Sequence, residues 1–322
     1  MKKVKIGLLG FGNVGGGTYK ILTDNREIIQ QRIGASPEIT RILQRNRKKK
    51  RLVEADPALL TEDPDDIIKD PDIDIVVEML GGIEPATSFM VQAMKHGKHV
   101  VSANKAAIAA NYDLLTETAA ENNVEFLFEA SVAGGIPVLT AITGALASNN
   151  FVEVMGILNG TTNYILTKMT DEGLSYDEVL KDAQAKGFAE ADPTADVEGI
   201  DAANKLSILI ALAFDRYIAP GDIPTTGITA ITAKDIEEAA AQGKKIKLIG
   251  RASVADGKLS YQVKPVLLDI THPLAGVSNE FNAVYITGDM VGELMFYGRG
   301  AGPLPTGSAG CGDILAIMKK PF

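Results

Sequence analysis

Residues 3–15 restrict the possible folds more than any other stretch of the chain. The run VKIGLLG alternates and then turns fully apolar, the pattern of a buried parallel strand. It enters Gly10-Phe11-Gly12-Asn13-Val14-Gly15, and a helical stretch follows to about Ile33. Strand, GxGxxG and helix in that order are the context that dinucleotide binding requires. Gly10 allows the tight turn, Gly12 lets the backbone approach a pyrophosphate, and Gly15 permits close packing of helix on strand. The helix N-terminus offers free N–H groups to phosphates. A glycine-rich turn that serves packing alone is the plain alternative.

The alternation of strand and helix continues. Strands are expected at 38–44, 59–61, 73–80, 99–102 and 124–129, with helices at 65–69, 84–96 and 106–121. Such alternation predicts an α/β fold with a doubly wound parallel sheet, and ligands of these sheets bind beyond the carboxyl ends of the strands. Leu80-Gly81-Gly82, Ser102-Ala103-Asn104-Lys105 and Glu129 fall at those ends. Lys105 is therefore expected to face the cofactor, with a solvated helix-start lysine as the alternative. Where an NAD-selective fold places an acid for the ribose hydroxyls, this chain has Arg45. Residues 41–51 (RILQRNRKKKR) hold seven of the chain's 32 basic side chains and none of its 41 acidic ones. Arg45, helped by Arg47 or Lys48, would attract a 2′-phosphate, so NADP is favoured over NAD. A solvated basic loop is the other reading.

Composition narrows the function classes. A chain of 322 residues, 46% hydrophobic and 23% charged, can support two domains with real cores. Its longest apolar run is about nine residues and glycine interrupts the N-terminus early, so neither a membrane span nor a secretory signal is expected. A cytoplasmic location follows. The net charge of −9 argues against a nucleic-acid partner. Cys311 is the only cysteine, which excludes an internal disulfide and cysteine-based zinc sites.

Chemistry concentrates in residues 186–205, KGFAEADPTADVEGIDAANK, where Glu190, Asp192, Asp196, Glu198 and Asp201 place five carboxylates in twelve positions. A helix is expected to open at Asp196 as its cap and to run through Gly199 to about Phe214. Asp201 and Lys205 are four apart and share a stripe with Ile208, Leu209 and Leu212, so the pair points inward. An exposed pair would contribute only about 0.3–0.5 kcal/mol. Lys and Asp on an apolar stripe are rarely buried unless paired, and are often then functional. The converging carboxylates fit a polar substrate cage better than a divalent metal, because the spacing matches no calcium loop.

Beyond Glu129 a second domain is expected. Residues 134–137 start a helix, and the strand at 151–158 leads to Asn159-Gly160-Thr161-Thr162-Asn163, a polar turn opening another helix. That turn suits a substrate carboxylate, although capping alone would also explain it. A charged helix at 233–242 and strands at 245–253, 258–266, 281–287 and 293–297 predict an α+β domain with a mainly antiparallel sheet. A last helix is expected at 307–318, with Gly310 and Gly312 as unexplained costs of about 1 kcal/mol each.

GFGNVG, SANKA at 102–106, FEASVAGGIP at 128–137, GILNGTTNYIL at 156–166, the 186–206 segment and GRGAGPLPTGSA at 298–309 together resemble homoserine dehydrogenase over nearly the whole chain. The resemblance implies a Rossmann domain of residues 1–130 completed by 301–322, and a substrate and dimerisation domain of residues 131–300. It implies interconversion of L-aspartate 4-semialdehyde and L-homoserine with NADPH or NADH, on the route to threonine and methionine. Lys205 would be the proton donor to the aldehyde oxygen, and Lys105 a second catalytic lysine between substrate and nicotinamide. Asp201 and Glu190 would hold the substrate, with Asp196, Gly160 and Thr161 beside them. Cofactor contacts would come from Gly10, Phe11, Gly12, Asn13, Val14, Gly15, Arg45, Ser102, Lys105, Gly187 and Gly302. A monovalent cation such as Na⁺ would sit on Glu129, Val132, Gly134 and Ile136, mostly through carbonyls. A homodimer is implied as well. Many relatives carry a C-terminal ACT domain, and a short form without one is the expectation here.

Two rivals remain at this point. A phosphorylating semialdehyde dehydrogenase needs a cysteine nucleophile beside a base, and Cys311 has no histidine near it in sequence. A non-catalytic NADPH-binding sensor would need none of the lysines and acids.

Overall fold

The strand that opens the chain, β1 (Lys2–Leu9), buries Val4, Ile6, Leu8 and Leu9 completely. The computed structural model describes residues 2–44 and 51–320; Arg45, Arg47 and Lys48 lie outside the described residues. The next strands are β2 (Ala35–Leu43), β3 (Leu60–Thr61), β4 (Ile75–Glu78), β5 (His99–Ser102) and β6 (Phe126–Leu127). Among the described residues they form one parallel sheet in the order β3-β2-β1-β4-β5-β6. The order reverses between β1 and β4, which places a binding crevice beyond their carboxyl ends.

The chain divides into two compact units, one reaching Gly135 and completed from Ala301 onward, the other Ile136–Gly300. The boundary thus falls five residues beyond the expected residue 130. The turn Glu129–Ser131 is held by the C-terminal helix Pro303–Met318, because Glu129 N donates to Asp313 Oδ2 at 2.8 Å. Gly135 sits so close to Pro305 that an added Cβ would lie 3.0 Å from the proline Cβ.

The C-terminal helix packs on the first helix, Asn13–Asp24, at backbone distance. A Cβ on Gly17 would lie 2.0 Å from Pro303 O, and one on Gly307 2.8 Å from Thr18 N. Gly310 belongs to this close approach, with Met79 Cε 3.1 Å from its missing Cβ. Gly312 faces open space, and nothing in the structure explains it. The intervening Cys311 is buried, which pushes its thiol up to about 12 and removes it as a nucleophile at neutral pH.

In the second unit, β7 (Phe151–Ile157), β8 (Lys244–Ala255), β9 (Lys258–Asp269), β10 (Phe281–Gly288) and β11 (Gly292–Arg299) form an antiparallel sheet in the order β11-β10-β7-β8-β9. The helix Ile200–Phe214 packs on β7 and β8, burying Leu206, Ile208, Leu209 and Ile210. The helix Gly160–Glu172 lies against β8 and β10. No helix among the described residues is long and apolar enough to cross a membrane.

Three expected helices are broken. The first stops at Asn25 and resumes as Arg26–Ile33, and the 106–121 stretch splits at Asn111 into Lys105–Ala110 and Tyr112–Glu121. Asn at these junctions is a poor helix interior residue because its side chain competes for backbone groups. The third break matters for the site. Gly199 adopts φ +82°, a left-handed conformation that no helix interior tolerates, so a short turn Thr194–Val197 precedes the helix Ile200–Phe214. Asp196 therefore does not cap that helix.

Candidate active site

In the first unit, the strand–glycine–helix junction forms the floor of a binding cavity. Gly10 takes φ +110°, and a Cβ on Gly15 would lie 2.2 Å from Gly10 O, so the turn can close only with glycine at both places. A Cβ on Gly12 would meet nothing within 4 Å, which leaves its backbone open to a ligand. Gly12 is also the N-cap of Asn13–Asp24 and provides no side-chain cap, so the first-turn N–H groups and the helix dipole are available to a pyrophosphate. A cavity of about 340 Å³ opens here, lined by residues 12–14, 79–82 and 103–106.

Gly12, Asn13, Val14 and Lys105 line that cavity. Gly10 and Gly15 form the turn beneath, while the Phe11 ring turns into the core and stacks edge-on against Tyr19 at 5.4 Å. Ser102 is fully buried and gives its hydroxyl to Glu78 at 2.6 Å. Gly302 is the N-cap of the C-terminal helix, with φ +110°. Gly187, φ +76°, lies in the second unit on the turn after the helix Tyr176–Ala185.

The second unit gathers the acids and Lys205. Lys205 and Asp201 face inward on one stripe, 8% and 6% exposed, with Nζ 2.7 Å from Asp201 Oδ2. Nζ also donates to Leu158 O at 2.7 Å, at the end of β7. Asp201 lies in the first turn of its helix, where the dipole favours negative charge. Asn159 joins this pair to the preceding acids, because its Nδ2 donates to Asp201 Oδ2 at 2.9 Å and to Asp196 Oδ1 at 2.7 Å. Its Oδ1 accepts from Thr162 N, so the same side chain caps the helix that starts at Gly160. Thr161 Oγ1 lies 3.0 Å from Asp196 Oδ2 and 2.8 Å from Phe188 O, within reach of either acceptor for its single proton. The network thus runs from Lys205 to the segment carrying Gly187 and Glu190. Glu190 itself is exposed, and its carboxylate has no protein partner among the described residues. Among the described residues no group of three or more His, Cys, Asp or Glu is placed to hold a metal ion.

Two family models match the chain, Homoserine dehydrogenase over residues 137–315 and Homoserine dehydrogenase, NAD binding domain, over residues 10–129. The chain belongs to the homoserine dehydrogenase family. It is 46% identical over 320 residues to the Bacillus subtilis homoserine dehydrogenase, covering 99% of this chain and 74% of that one. A crystal structure of a homoserine dehydrogenase from Thiobacillus denitrificans matches with a TM-score of 0.96 at 43% identity, over 99% of this chain and 74% of that one. A hyperthermophilic archaeal homoserine dehydrogenase mutant in complex with NADPH matches with a TM-score of 0.83 at 27% identity, over 99% of both chains.

The first unit thus holds the family's NAD-binding domain, and the fold is that of enzymes acting on a small-molecule substrate. Residues 129–136, the expected cation segment, are almost entirely buried and turn sharply at Ala133 and Gly134, both left-handed. Glu129 is 5% exposed. Asp313, beside it, is pushed up to about 8 by burial, and the neighbouring Glu129 charge pushes the same way.

Sequence reading missed Asn159, treated there as a turn residue, and Glu78, an acid inside an apolar strand. The signal for Glu78 was present: a charged residue ends the run IVVE at the carboxyl end of β4, where ligands bind.

Proposed function

We propose that this chain catalyses the NAD(P)H-dependent interconversion of L-aspartate 4-semialdehyde and L-homoserine and serves threonine and methionine biosynthesis in the cytoplasm. The buried Lys205–Asp201 pair at the head of the acidic cluster carries this reading. When bound, the nicotinamide supplies hydride to the aldehyde carbon or takes it from the alcohol. Lys205 donates its proton to the carbonyl oxygen as alkoxide charge develops, and recovers it in the reverse direction. Asp201 fixes the ammonium head of Lys205 from one helical turn away and, with Glu190, holds the polar ends of the substrate. Asp196, tied to Asn159 and Thr161, supports that cage, and the first-turn N–H groups at Gly160 and Thr161 take the substrate carboxylate. Lys105, at the cavity rim, holds substrate against the nicotinamide.

NADP is the preferred dinucleotide in this reading, because the chain leaving β2 carries Arg45 and further base in place of an acid. Glu129, Val132, Gly134 and Ile136 hold a monovalent cation that stabilises the turn. The chain works as a homodimer in this reading, and Met295 and Tyr297 on β11 are exposed apolar side chains available to such a contact. The deciding experiment is turnover of L-homoserine with NADP⁺, followed by appearance of the reduced cofactor. A protein that binds NADPH but oxidises no homoserine would be a sensor, and the reading would fall.

A further inference from the structure

Glu78 is fully buried at the end of β4, and no ion pair to it exists among the described residues. Its carboxylate is surrounded by donors instead. Oε2 accepts from Ser102 Oγ at 2.6 Å, while Oε1 accepts from Leu80 N at 2.7 Å and from Asn104 Nδ2 at 3.4 Å. Burial pushes its pKa up, and the hydrogen bonds from Ser102, Leu80, Asn104 and Gly81 oppose that rise. Only an acceptor-only group satisfies all of these donors, because a glutamine would turn its NH₂ on one of them. A buried charge is costly, so its place calls for a reason.

Both segments that Glu78 touches line the cavity. Leu80 and Gly81 belong to the turn after β4, and Gly81 and Gly82 are both left-handed. Asn104 lies on the turn after β5. Its Nδ2 also donates to Gly82 O at 2.7 Å, its N–H goes to Ser102 Oγ at 3.0 Å, and its Oδ1 caps the helix Lys105–Ala110 through Ala107 N at 3.1 Å. Lys105 is the first residue of that helix. We propose that Glu78 is a positioning residue, locking the two cavity turns together through Ser102 and Asn104 so that Lys105 is held at one place on the cavity rim. This rests on the reading of Lys105 given above.

The test is a double-mutant cycle of Glu78→Gln and Lys105→Met, read as kcat/KM for L-homoserine oxidation at saturating NADP⁺. Glu78→Gln should lower kcat/KM at least about 10-fold in the wild-type background and less than about 3-fold in the Lys105→Met background, since the route runs through that lysine. Glu78→Asp, which keeps the acceptor-only group, should recover part of the loss. Equal losses in both backgrounds would mean a role in folding alone and would overturn the proposal while leaving Lys105 in place. Near-wild-type activity of Lys105→Met by itself would remove Lys105 from the mechanism, and Glu78 with it. If Glu78→Gln gives no cooperative melting transition, Ser102→Ala carries the same cycle under the same criteria.

Discussion

Lys205 Nζ and Asp201 Oδ2 lie 2.7 Å apart, one turn apart on a helix whose other residues are apolar except Asn204 and Ser207, and both side chains are about one-tenth exposed. A lysine and an aspartate in that setting are kept by each other, and the removal of either has consequences of a different kind.

In the proposed mechanism Lys205→Ala removes the proton donor. General acid–base catalysis contributes about 10²–10⁴-fold, so kcat should fall at least about 100-fold. NADPH binding, measured by cofactor fluorescence, should remain, because the dinucleotide cavity is built by the first unit. A variant that keeps half its activity would remove Lys205 from the mechanism.

Asp201→Ala leaves the buried ammonium without its anionic partner. Breaking one side of a buried pair costs about 3–5 kcal/mol, so thermal stability should drop together with kcat. Asp201→Ala and Lys205→Ala combined should melt higher than Asp201→Ala alone, because the orphaned charge is gone. A double variant no more stable than the single one would contradict the pairing.

Lys247 provides a pH test. It is 2% exposed on β8, donates to Asn163 Oδ1 at 3.0 Å and Val277 O at 2.6 Å, and burial, with the like charge of Lys245, lowers its pKa from 10.5 to about 8. Below about 8 the group is charged in both folded and unfolded chains. Between about 8 and 10.5 the unfolded chain binds more protons, so stability contributed by this residue rises with pH, by up to about 1.4 kcal/mol per unit. Denaturant titrations of wild type and Lys247→Met across that window should show this rise in the wild type only. Parallel pH profiles would mean that Lys247 is not depressed.

Arg45 separates cofactor selection from a solvated charge run. If Arg45 pairs with a 2′-phosphate, Arg45→Asp removes a charge-assisted hydrogen bond and adds repulsion, together about 2–4 kcal/mol against NADPH. NADH lacks that phosphate. The ratio of the two KM values should therefore change roughly 30-fold or more. An equal change for both cofactors would show that the residue is not the selector.

The glycines at the helix–helix contact divide by what their Cβ would meet. Gly17→Ala should destabilise strongly, because the methyl would lie 2.0 Å from Pro303 O, whereas Gly312→Ala is exposed and unopposed and should stabilise by about 0.5–1 kcal/mol. Melting temperatures of the two variants give the signs directly.

Local pattern was enough for several features. The run VKIGLLGFGNVG reads as strand, turn and helix because apolar continuity, glycine spacing and helix start all act within fifteen residues. The inward face of Asp201 and Lys205 follows from a four-residue spacing on an apolar stripe. Tertiary structure decided what depends on distant partners. Gly199 ends one helix and starts another because the chain turns left-handed there against β9, where Val263 Cγ1 lies 3.2 Å from the position of its missing Cβ. Asp196, once free of a capping role, is claimed by Asn159, 37 residues earlier, and that same amide reaches Asp201 across 42 residues. Glu78 likewise finds Ser102 24 residues later and Asn104 26 residues later, across adjacent parallel strands. A buried polar group must be satisfied by whatever donor the fold brings to it, and that choice is made by strand order and helix packing rather than by neighbours in sequence.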